Sequence, residues 1–556
     1  MNLSLQFFAR RLLLAGLCVA PLARLSATDF ILTIGGGYRP ESNQASLEAN
    51  VLFFEQVLQS QHTGSYTQDI FFANGNDPKP DLQILSPVAS RENTAGGDGP
   101  VVQLLEDLYG SPADDGAVEY RKHEVANVAG SNLPANIHAS LRRMCGQMAD
   151  GDRLLVYVTA HGGEAEGRNP YNTTISCWDG QSITAREFEK WFDDVPSQVP
   201  VIMVMAQCYC GGFAHTIFRN VQPEAGLSQR LRVGFFAQQH DLPAAGCRPD
   251  IENDEEYSSF FWGAFIGRSR GGKYMPSADF NRDGRISFAE AHAHAVLASQ
   301  TIDIPLRSSE ALLRVYSRIG GGYDHRRDLD SDSRDSDSRD SEQRNTTGDA
   351  ASDGEVSSKQ ADLADADDWL DNERMASMTG TLRELIQGAE PELQQTVIGL
   401  AQQLDIKLDD EVPVVFIQFE QQRDASRELR RSNARGRRRG GSSGRRQLRA
   451  EISQQWPELA ADKWRASKLL QQADQGKLIQ QIAELPNYDR FTDGLLQRKE
   501  TQHSLELAEL REVKFQRLIN TLEAIVLDRN LEQLADAEVV ARYRAMIALE
   551  QTGLND

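Results

Sequence analysis

Long hydrophobic runs and positive charge are both scarce in this chain. After residue 27, no segment approaches the roughly eighteen consecutive apolar residues that a membrane-spanning helix requires. Lysine and arginine number 59 against 81 aspartates and glutamates, which leaves a formal net charge of -22. Phosphate contacts need a basic surface, so this balance argues against a general nucleic-acid binder. We therefore expect a protein that is not transmembrane and has no specific nucleic-acid partner.

Cysteine is also rare, with six residues in a chain of 556. The first of them, Cys18, lies in a segment that is typical of an export signal. A positive pair, Arg10 and Arg11, precedes the apolar stretch 12–23, and small residues end a cleavage site at 25–27. We expect residues 1–27 to be a signal peptide and the mature protein to be exported, either to the periplasm or out of the cell.

The mature chain keeps an odd number of cysteines. An odd number in an exported protein predicts one free thiol. If Cys208 is that thiol, the other four can form two disulfides, but the sequence does not give their pairing. These four are Cys145, Cys177, Cys210 and Cys247.

Short apolar runs alternate with helical patterns over the first 320 residues. A capping box at Thr184 and Glu187 predicts the start of one of the helices. Strands that alternate with helices indicate an α/β fold with a largely parallel sheet. The predicted strands are 30–34, 69–73, 154–160, 201–206 and 233–237, and the predicted helices cover 47–58, 137–148, 184–191 and 255–266.

Two of these strands end in residues that can carry chemistry. The run 154–160 leads into His161, which is followed by Gly162, and the run 201–206 leads into Gln207 and Cys208. The carboxyl ends of neighbouring parallel strands meet at one edge of a sheet, which is where open α/β sheets usually carry their active sites. Cysteine supplies a nucleophile, and a nearby imidazole can protonate a departing amine. The backbone amides of Gly162 and Cys208 are candidate donors to an oxyanion.

These residues resemble the caspase–legumain clan of cysteine peptidases. The resemblance rests on a strand ending in His161-Gly162 and a second strand ending in Gln207-Cys208, with Gly211 three residues on. It covers residues 28–322. It implies a three-layer α/β/α sandwich and an endopeptidase that hydrolyses peptide bonds through a thioester. It also implies Cys208 as nucleophile, His161 as general acid and base, and Gly162 with Cys208 as the oxyanion hole.

The chain departs from this clan at two positions beside the nucleophile. Ala206 stands where several of the families have a residue that lines the specificity pocket, so substrate preference cannot be transferred. Cys210 stands where relatives often have serine. Residues 238–250, which follow a predicted strand, are expected to form a wall of the pocket.

Other functions remain compatible with the same residues. Taken alone, Cys208 can be a buried core thiol and His161 a histidine at a strand end. The main alternative to a peptidase is an inactive caspase-like scaffold whose helical C-terminal half binds a partner. A third possibility is acyl transfer, which uses the same pair of residues and needs an amine acceptor.

Residues 279–290 match the full twelve-residue pattern of an EF-hand calcium loop. Gly284 allows the bend at position six, Ile286 is the apolar anchor, and Ser287 can hold a water. The pattern predicts a structural calcium ion, and no organic cofactor is expected. The oxygen ligands at positions one, three, five, seven and twelve are Asp279, Asn281, Asp283, the carbonyl of Arg285, and Glu290.

The composition changes after residue 322. Residues 323–367 are acidic and repetitive, which predicts a disordered linker. Residues 368–556 have helical patterns and are expected to form a separate, all-helical region, with one long helix that has no breaker over 505–527. An arginine- and glycine-rich loop is expected from Arg423 to Arg449. This loop can bind an acidic partner or a membrane face, or pair with the chain's own acidic linker.

Overall fold

A computed structural model describes residues 27–85, 99–110, 118–245, 256–320, 375–439, 443–461, 463–472 and 474–556. Nearly all of the predicted signal segment and the acidic linker lie outside these residues. Twelve strands occur in the described part of the chain. They are β1 (Thr28–Gly36), β2 (Ser65–Phe72), β3 (Leu82–Leu85), β4 (Val118–Arg121), β5 (Val128–Gly130), β6 (Arg153–Ala160), β7 (Gly162–Gly163), β8 (Thr174–Cys177), β9 (Gln181–Thr184), β10 (Val201–Met205), β11 (Arg232–Phe236) and β12 (Leu306–Arg307).

Seven of the strands form one mostly parallel sheet, in the order β12-β11-β10-β6-β1-β2-β5. Every neighbouring pair is parallel except β11 and β12, which pair antiparallel at one edge. Every residue of β6 and β10 is buried. Parallel strands covered on both faces read as continuous hydrophobic runs, so the sequence predicts these two strands well. The α/β class and the mostly parallel sheet are confirmed.

The helices of the first half pack on this sheet and on one another. Phe54 of helix α1 (Ala45–Gln61) packs against Trp262 of helix α5 (Tyr257–Ile266), with ring centroids 4.3 Å apart. Both rings contact Tyr157 of β6. α3 lies against β1 and β2. Two smaller sheets, β3-β4 and β7-β8-β9, flank the main one. The helices concerned are α1 (Ala45–Gln61), α2 (Pro100–Tyr109), α3 (Pro134–Cys145), α4 (Ala185–Trp191), α5 (Tyr257–Ile266), α6 (Phe288–Ala298) and α7 (Ser308–Tyr316).

The described part of the second half is helical, as predicted. Its longest helix, α14, has 47 residues and includes the predicted unbroken stretch. No helix among the described residues is both long and apolar enough to cross a membrane. The helices are α8 (Leu382–Ile386), α9 (Pro391–Gln403), α10 (Val412–Arg439), α11 (Ser443–Gln455), α12 (Lys468–Gln472), α13 (Gln475–Ala483), α14 (Tyr488–Leu534) and α15 (Ala537–Glu550).

The prediction of an arginine-rich loop over residues 423–449 is wrong for most of that range. Helix α10 continues to Arg439, and α11 begins at Ser443. Arginine is a good helix former, and one glycine inside a helix costs only about 1 kcal/mol. Packing supplies the rest, because α10 lies along α14 and Arg430 bonds to Glu509 and Glu512. Some of the arginines for which an acidic partner was one possibility are therefore paired within the chain.

The helical half does not stand apart from the sheet. Residues at the end of α14 and in α15 belong to the same hydrophobic core as the strands, among them Leu531, Met546 and Leu549. A buried ion pair also crosses between the halves, from Arg307 to Glu550. The expectation of a separate helical region therefore holds for its secondary structure but not for its packing.

Candidate active site

His161 and Cys208 follow the ends of two adjacent strands. β6 and β10 pair in parallel, and Met205 is the register partner of Val158. His161 lies three residues after Val158, and Cys208 lies three residues after Met205. The ladder extends one step past the strands, because the Ala206 amide donates to the Val158 carbonyl at 2.9 Å. The register therefore brings both residues to the same carboxyl edge of the sheet.

The imidazole of His161 has a defined orientation. Its Nε2 lies 2.8 Å from the Ser42 carbonyl and 2.8 Å from Oε1 of Gln44. An acceptor carbonyl requires Nε2 to carry the proton, so Nδ1 is the unprotonated nitrogen of the neutral ring. Tyr38 packs edge-on against the ring, with centroids 5.6 Å apart. Burial lowers the pKa of His161, although the bond to Ser42 opposes this shift. The ring is neutral at pH 7 and can accept a proton.

Cys208 sits at the start of a strained turn. The next residue, Tyr209, has a left-handed backbone with φ 58° and ψ 15°. A side chain other than glycine in this region costs of order 1–3 kcal/mol and often marks a functional site. Two bonds hold the turn: the Tyr209 amide donates to the Leu242 carbonyl at 3.0 Å, and the Tyr209 hydroxyl donates to Glu164 at 2.9 Å. The turn presents the half-buried Cys208 at the sheet edge.

The thiol contacts the segment that follows β11. The backbone amide of Ala244 lies 3.2 Å from Sγ of Cys208, and Sγ lies 3.6 Å from the Ala244 carbonyl. An N–H directed at sulfur favours the thiolate, which is the nucleophilic form. Ala244 lies within the predicted wall at residues 238–250, of which 238–245 are described and 246–250 lie outside the described chain.

Gly162 is in tight contact with the backbone of the cysteine turn. A Cβ added at Gly162 would lie 2.1 Å from the Cys208 carbonyl oxygen and 2.9 Å from the Gln207 side chain. No side chain fits there, so glycine is required by this close approach. Gln207 is fully buried, and neither atom of its amide meets a hydrogen-bond partner among the described residues.

The other described cysteines differ from Cys208 in environment. Burial raises the pKa of Cys145 to about 11 and that of Cys177 to about 12, and it raises the pKa of Cys210 further. Cys210 is fully buried, and its sulfur accepts from the Gln238 amide at 3.3 Å. No disulfide joins the four described cysteines to one another. Cys247 lies outside the described residues.

An open cleft of about 620 Å³ lies near the pair, although neither His161 nor Cys208 lines it. Tyr38, which packs on His161, and Glu164, which binds Tyr209, both line it. The small sheet β7-β8-β9 forms much of the remaining wall. The cleft is therefore linked to the candidate site through these neighbouring residues and not by direct contact with the imidazole or the thiol.

The predicted calcium loop has the internal hydrogen bonds of a compact turn. Asp279 accepts from the amides of Asp283 and Gly284, at 3.0 and 3.1 Å. Glu290, twelfth in the loop, reaches back to accept from the amides of Phe280 and Asn281, at 2.8 and 3.1 Å. Gly284 has φ +86°, which explains the glycine at position six.

Glu290 also caps helix α6. Its second oxygen accepts from the Ser287 amide and hydroxyl, both at 3.0 Å. In the described part of the chain, no three histidine, cysteine, aspartate or glutamate side chains are grouped so as to hold a metal ion. The loop therefore supplies the right kind of donor, all oxygen, but a cation would have to draw Glu290 away from its present partners.

Comparison with known proteins assigns no family to the chain. No protein-family model and no curated protein matches it. Structural comparison finds the crystal structure of a structural-genomics target from Geobacter sulfurreducens, in a match that covers 50% of this chain and 92% of that one. The two share 8% sequence identity with a TM-score of 0.28. A likeness at this level carries no inference about function.

Sequence patterns did not reveal three contributors to the site. Ser42 acts through its carbonyl, which no side-chain pattern can mark, and Gln44 lies more than a hundred residues from His161 in the chain. The left-handed turn at Tyr209 has no glycine or asparagine to signal it. The Gly211-Gly212 pair was the only local sign of tight backbone packing after Cys208.

Proposed function

We propose that this protein is a cysteine endopeptidase of the caspase–legumain type. The observation that supports it most is the shared register of β6 and β10, because the two strands that lead into His161 and Cys208 end at one edge of the sheet. On this proposal the sheet and its packed helices form a caspase-like three-layer sandwich over residues 28–322. The substrate is a peptide or protein, and the enzyme is exported.

The reaction follows from the roles of the two residues. Sγ of Cys208 attacks the peptide carbonyl, and the thiol proton passes to Nδ1 of His161. His161 returns that proton to the departing amine, which leaves a thioester on Cys208. Water, deprotonated by the same nitrogen, then attacks the thioester carbonyl; the C–S bond breaks, the acid product leaves, and His161 returns the proton to Sγ of Cys208. The amides of Gly162 and Cys208 are the proposed donors to the tetrahedral oxyanion.

The test compares two cysteine variants. C208A should abolish cleavage of a peptide library, while C145A, which changes another free thiol, should leave it unchanged. H161Q should reduce turnover by a factor on the order of 10² or more, because it removes the proton carrier. Undiminished cleavage by C208A would leave the inactive scaffold as the better interpretation.

We also propose that residues 279–290 bind calcium as a structural ion. The ligands would be the side chains of Asp279, Asn281, Asp283 and Glu290 and the carbonyl of Arg285. Support comes from the oxygen-only donor set and from Gly284 at the bend. The ion would tie together the loop that leads into α6, so its effect should be on stability and not on the chemical step.

A further inference from the structure

The C-terminal half reaches the candidate active site through one buried arginine. Arg517 of α14 is 2% exposed, and its guanidinium donates to one backbone carbonyl in the last turn of α6 and to three in the segment that follows this helix. The distances lie between 2.8 and 3.0 Å, and the carbonyls belong to Val296, Ser299, Thr301 and Asp303. This segment is irregular, so its carbonyls have no strand or helix to satisfy them. Arg517 therefore fixes its conformation.

The segment held by Arg517 in turn holds the loop on the thiol. The buried carboxylate of Asp303 accepts from the Ala245 amide at 2.8 Å. The preceding residue, Ala244, is the one whose amide points at Sγ of Cys208 at 3.2 Å. The side chain of Gln238 makes a second link, because it accepts from the Ile304 amide and donates to the Pro243 carbonyl.

We propose that Arg517 is a positioning residue for Cys208, acting through Asp303 and the Ala244-Ala245 segment. The inference rests on the proposed function, because it assigns to the helical half a role in preparing the nucleophile. The helical half then does more than cover the sheet, because its docking holds the backbone N–H of Ala244 in the position that favours the Cys208 thiolate. Undocking it would weaken the nucleophile without touching either catalytic side chain.

The chain offers a matched control for this arginine. Arg542 of α15 also clamps backbone carbonyls of the α/β half, donating to Ser228, Gln229 and Arg230 at 2.8–3.1 Å. Its clamp lies before β11 and makes no link to Ala244. Loss of Arg542 should therefore destabilise the docked helices without changing the environment of the thiol.

The experiment measures the alkylation rate of Cys208 by iodoacetamide from pH 5 to 10 in the full-length protein, with mass spectrometry to assign the site. In R517M the midpoint of the pH–rate profile should rise by about 0.7 pH unit, and the rate at neutral pH should fall about fivefold, as the Ala244 N–H is lost. R542M should keep the wild-type profile. If R517M does not fold, D303A breaks the same connection at its other end and should give the same shift.

Two outcomes would overturn the proposal. One is an identical profile for R517M and R542M, or for D303A and wild type. The other is faster alkylation with an unchanged midpoint, which would mean that the loop only shields the thiol. Alkylation needs no turnover, so a wild-type protein that cleaves no peptide would refute the peptidase while leaving this test intact.

Discussion

His161 depends on main-chain geometry as much as on its own chemistry. The Ser42 carbonyl fixes the proton on Nε2, and burial keeps the ring neutral. The sequence predicts the histidine, the cysteine and the edge at which they meet, because buried strands and the residues that end them are local patterns. It does not predict Ser42, Gln44 or Ala244, because these come together only when distant segments pack.

Gly162 gives the sharpest prediction at this scale. G162A should lower both stability and peptide cleavage, because its Cβ would meet the Cys208 carbonyl at 2.1 Å and force the two strand ends apart. We expect a loss of at least about 2 kcal/mol in the free energy of unfolding, measured by urea denaturation.

G146A is the matched control for that substitution. Gly146 has a helical backbone, and a Cβ there meets nothing closer than 3.5 Å. Its stability should be equal to that of the wild type or slightly higher. Equal effects of the two substitutions would show that the contact at Gly162 is not restrictive.

His215 should make the protein sensitive to acid. It stacks on Tyr171 with ring centroids 3.5 Å apart, and burial lowers its pKa to about 3, with a smaller contribution from His240. The folded state binds a proton at His215 more weakly than the unfolded state does. The contribution of neutral His215 to stability is therefore complete above about pH 6.5 and is lost as the pH falls toward 3. The wild type should lose about 2 kcal/mol from this residue between pH 7 and pH 5.

H215F keeps the stacked ring but cannot bind a proton. Between pH 7 and pH 5, its free energy of unfolding should therefore fall by about 2 kcal/mol less than that of the wild type. Denaturation series at the two pH values measure this difference. H503Q, at an exposed position of α14, should follow the wild-type pH dependence. Parallel curves for H215F and wild type would contradict the assignment.

Elements with one dominant local signal were predicted, and those stabilised by partners were not. The Thr184 cap of α4 is present as the sequence indicates, with its hydroxyl accepting from the Glu187 amide. By contrast, the sequence pattern of the second half of α10 predicts an arginine-rich loop, because the packing of this helix against α14 is not visible in the sequence. The small sheet β7-β8-β9 was missed for a related reason, because its strands are two to four residues long.

The calcium loop also depends on a distant partner. Position nine, Ser287, forms a β-bridge with Gly553, and the Phe288 amide donates to the Thr552 carbonyl at 2.8 Å. Arg285 of the loop pairs with Asp556. Residues 552–556 thus pack against the side of the loop, and no sequence pattern predicts this contact.

Removal of calcium should therefore destabilise the protein. A ligand at a hundred times its Kd adds about 2.7 kcal/mol, so EDTA should lower the melting temperature and added calcium should restore it. D279A, at the first ligand position, should remove the calcium response. D150A, an exposed aspartate outside the loop, should retain it. An unchanged melting temperature with and without calcium in the wild type would refute the ion site.

At the scale of the whole molecule, the hydrophobic core of the sheet includes the end of the helical half, while the other helices form clusters of their own. Leu527, Leu531, Met546 and Leu549 pack in the same buried cluster as the residues of β6, β10 and β11. Arg307 is buried at this boundary, facing Glu310, Glu392 and Glu550. The change in composition after residue 322 predicts two separate domains. Composition does not predict which surfaces of the two halves pack against each other.

A shared core implies that the halves unfold together. M546A removes most of a side chain that is 1% exposed, so the free energy of unfolding should fall by about 2–4 kcal/mol. L507A, on the same half but 54% exposed, should change it by no more than about 0.5 kcal/mol. In differential scanning calorimetry, M546A should shift one common transition. If the halves unfolded independently, calorimetry would show two transitions, and M546A would shift only one of them. In that case the helical half could unfold, and the connection from Arg517 to Cys208 could be lost, while the sheet stayed folded.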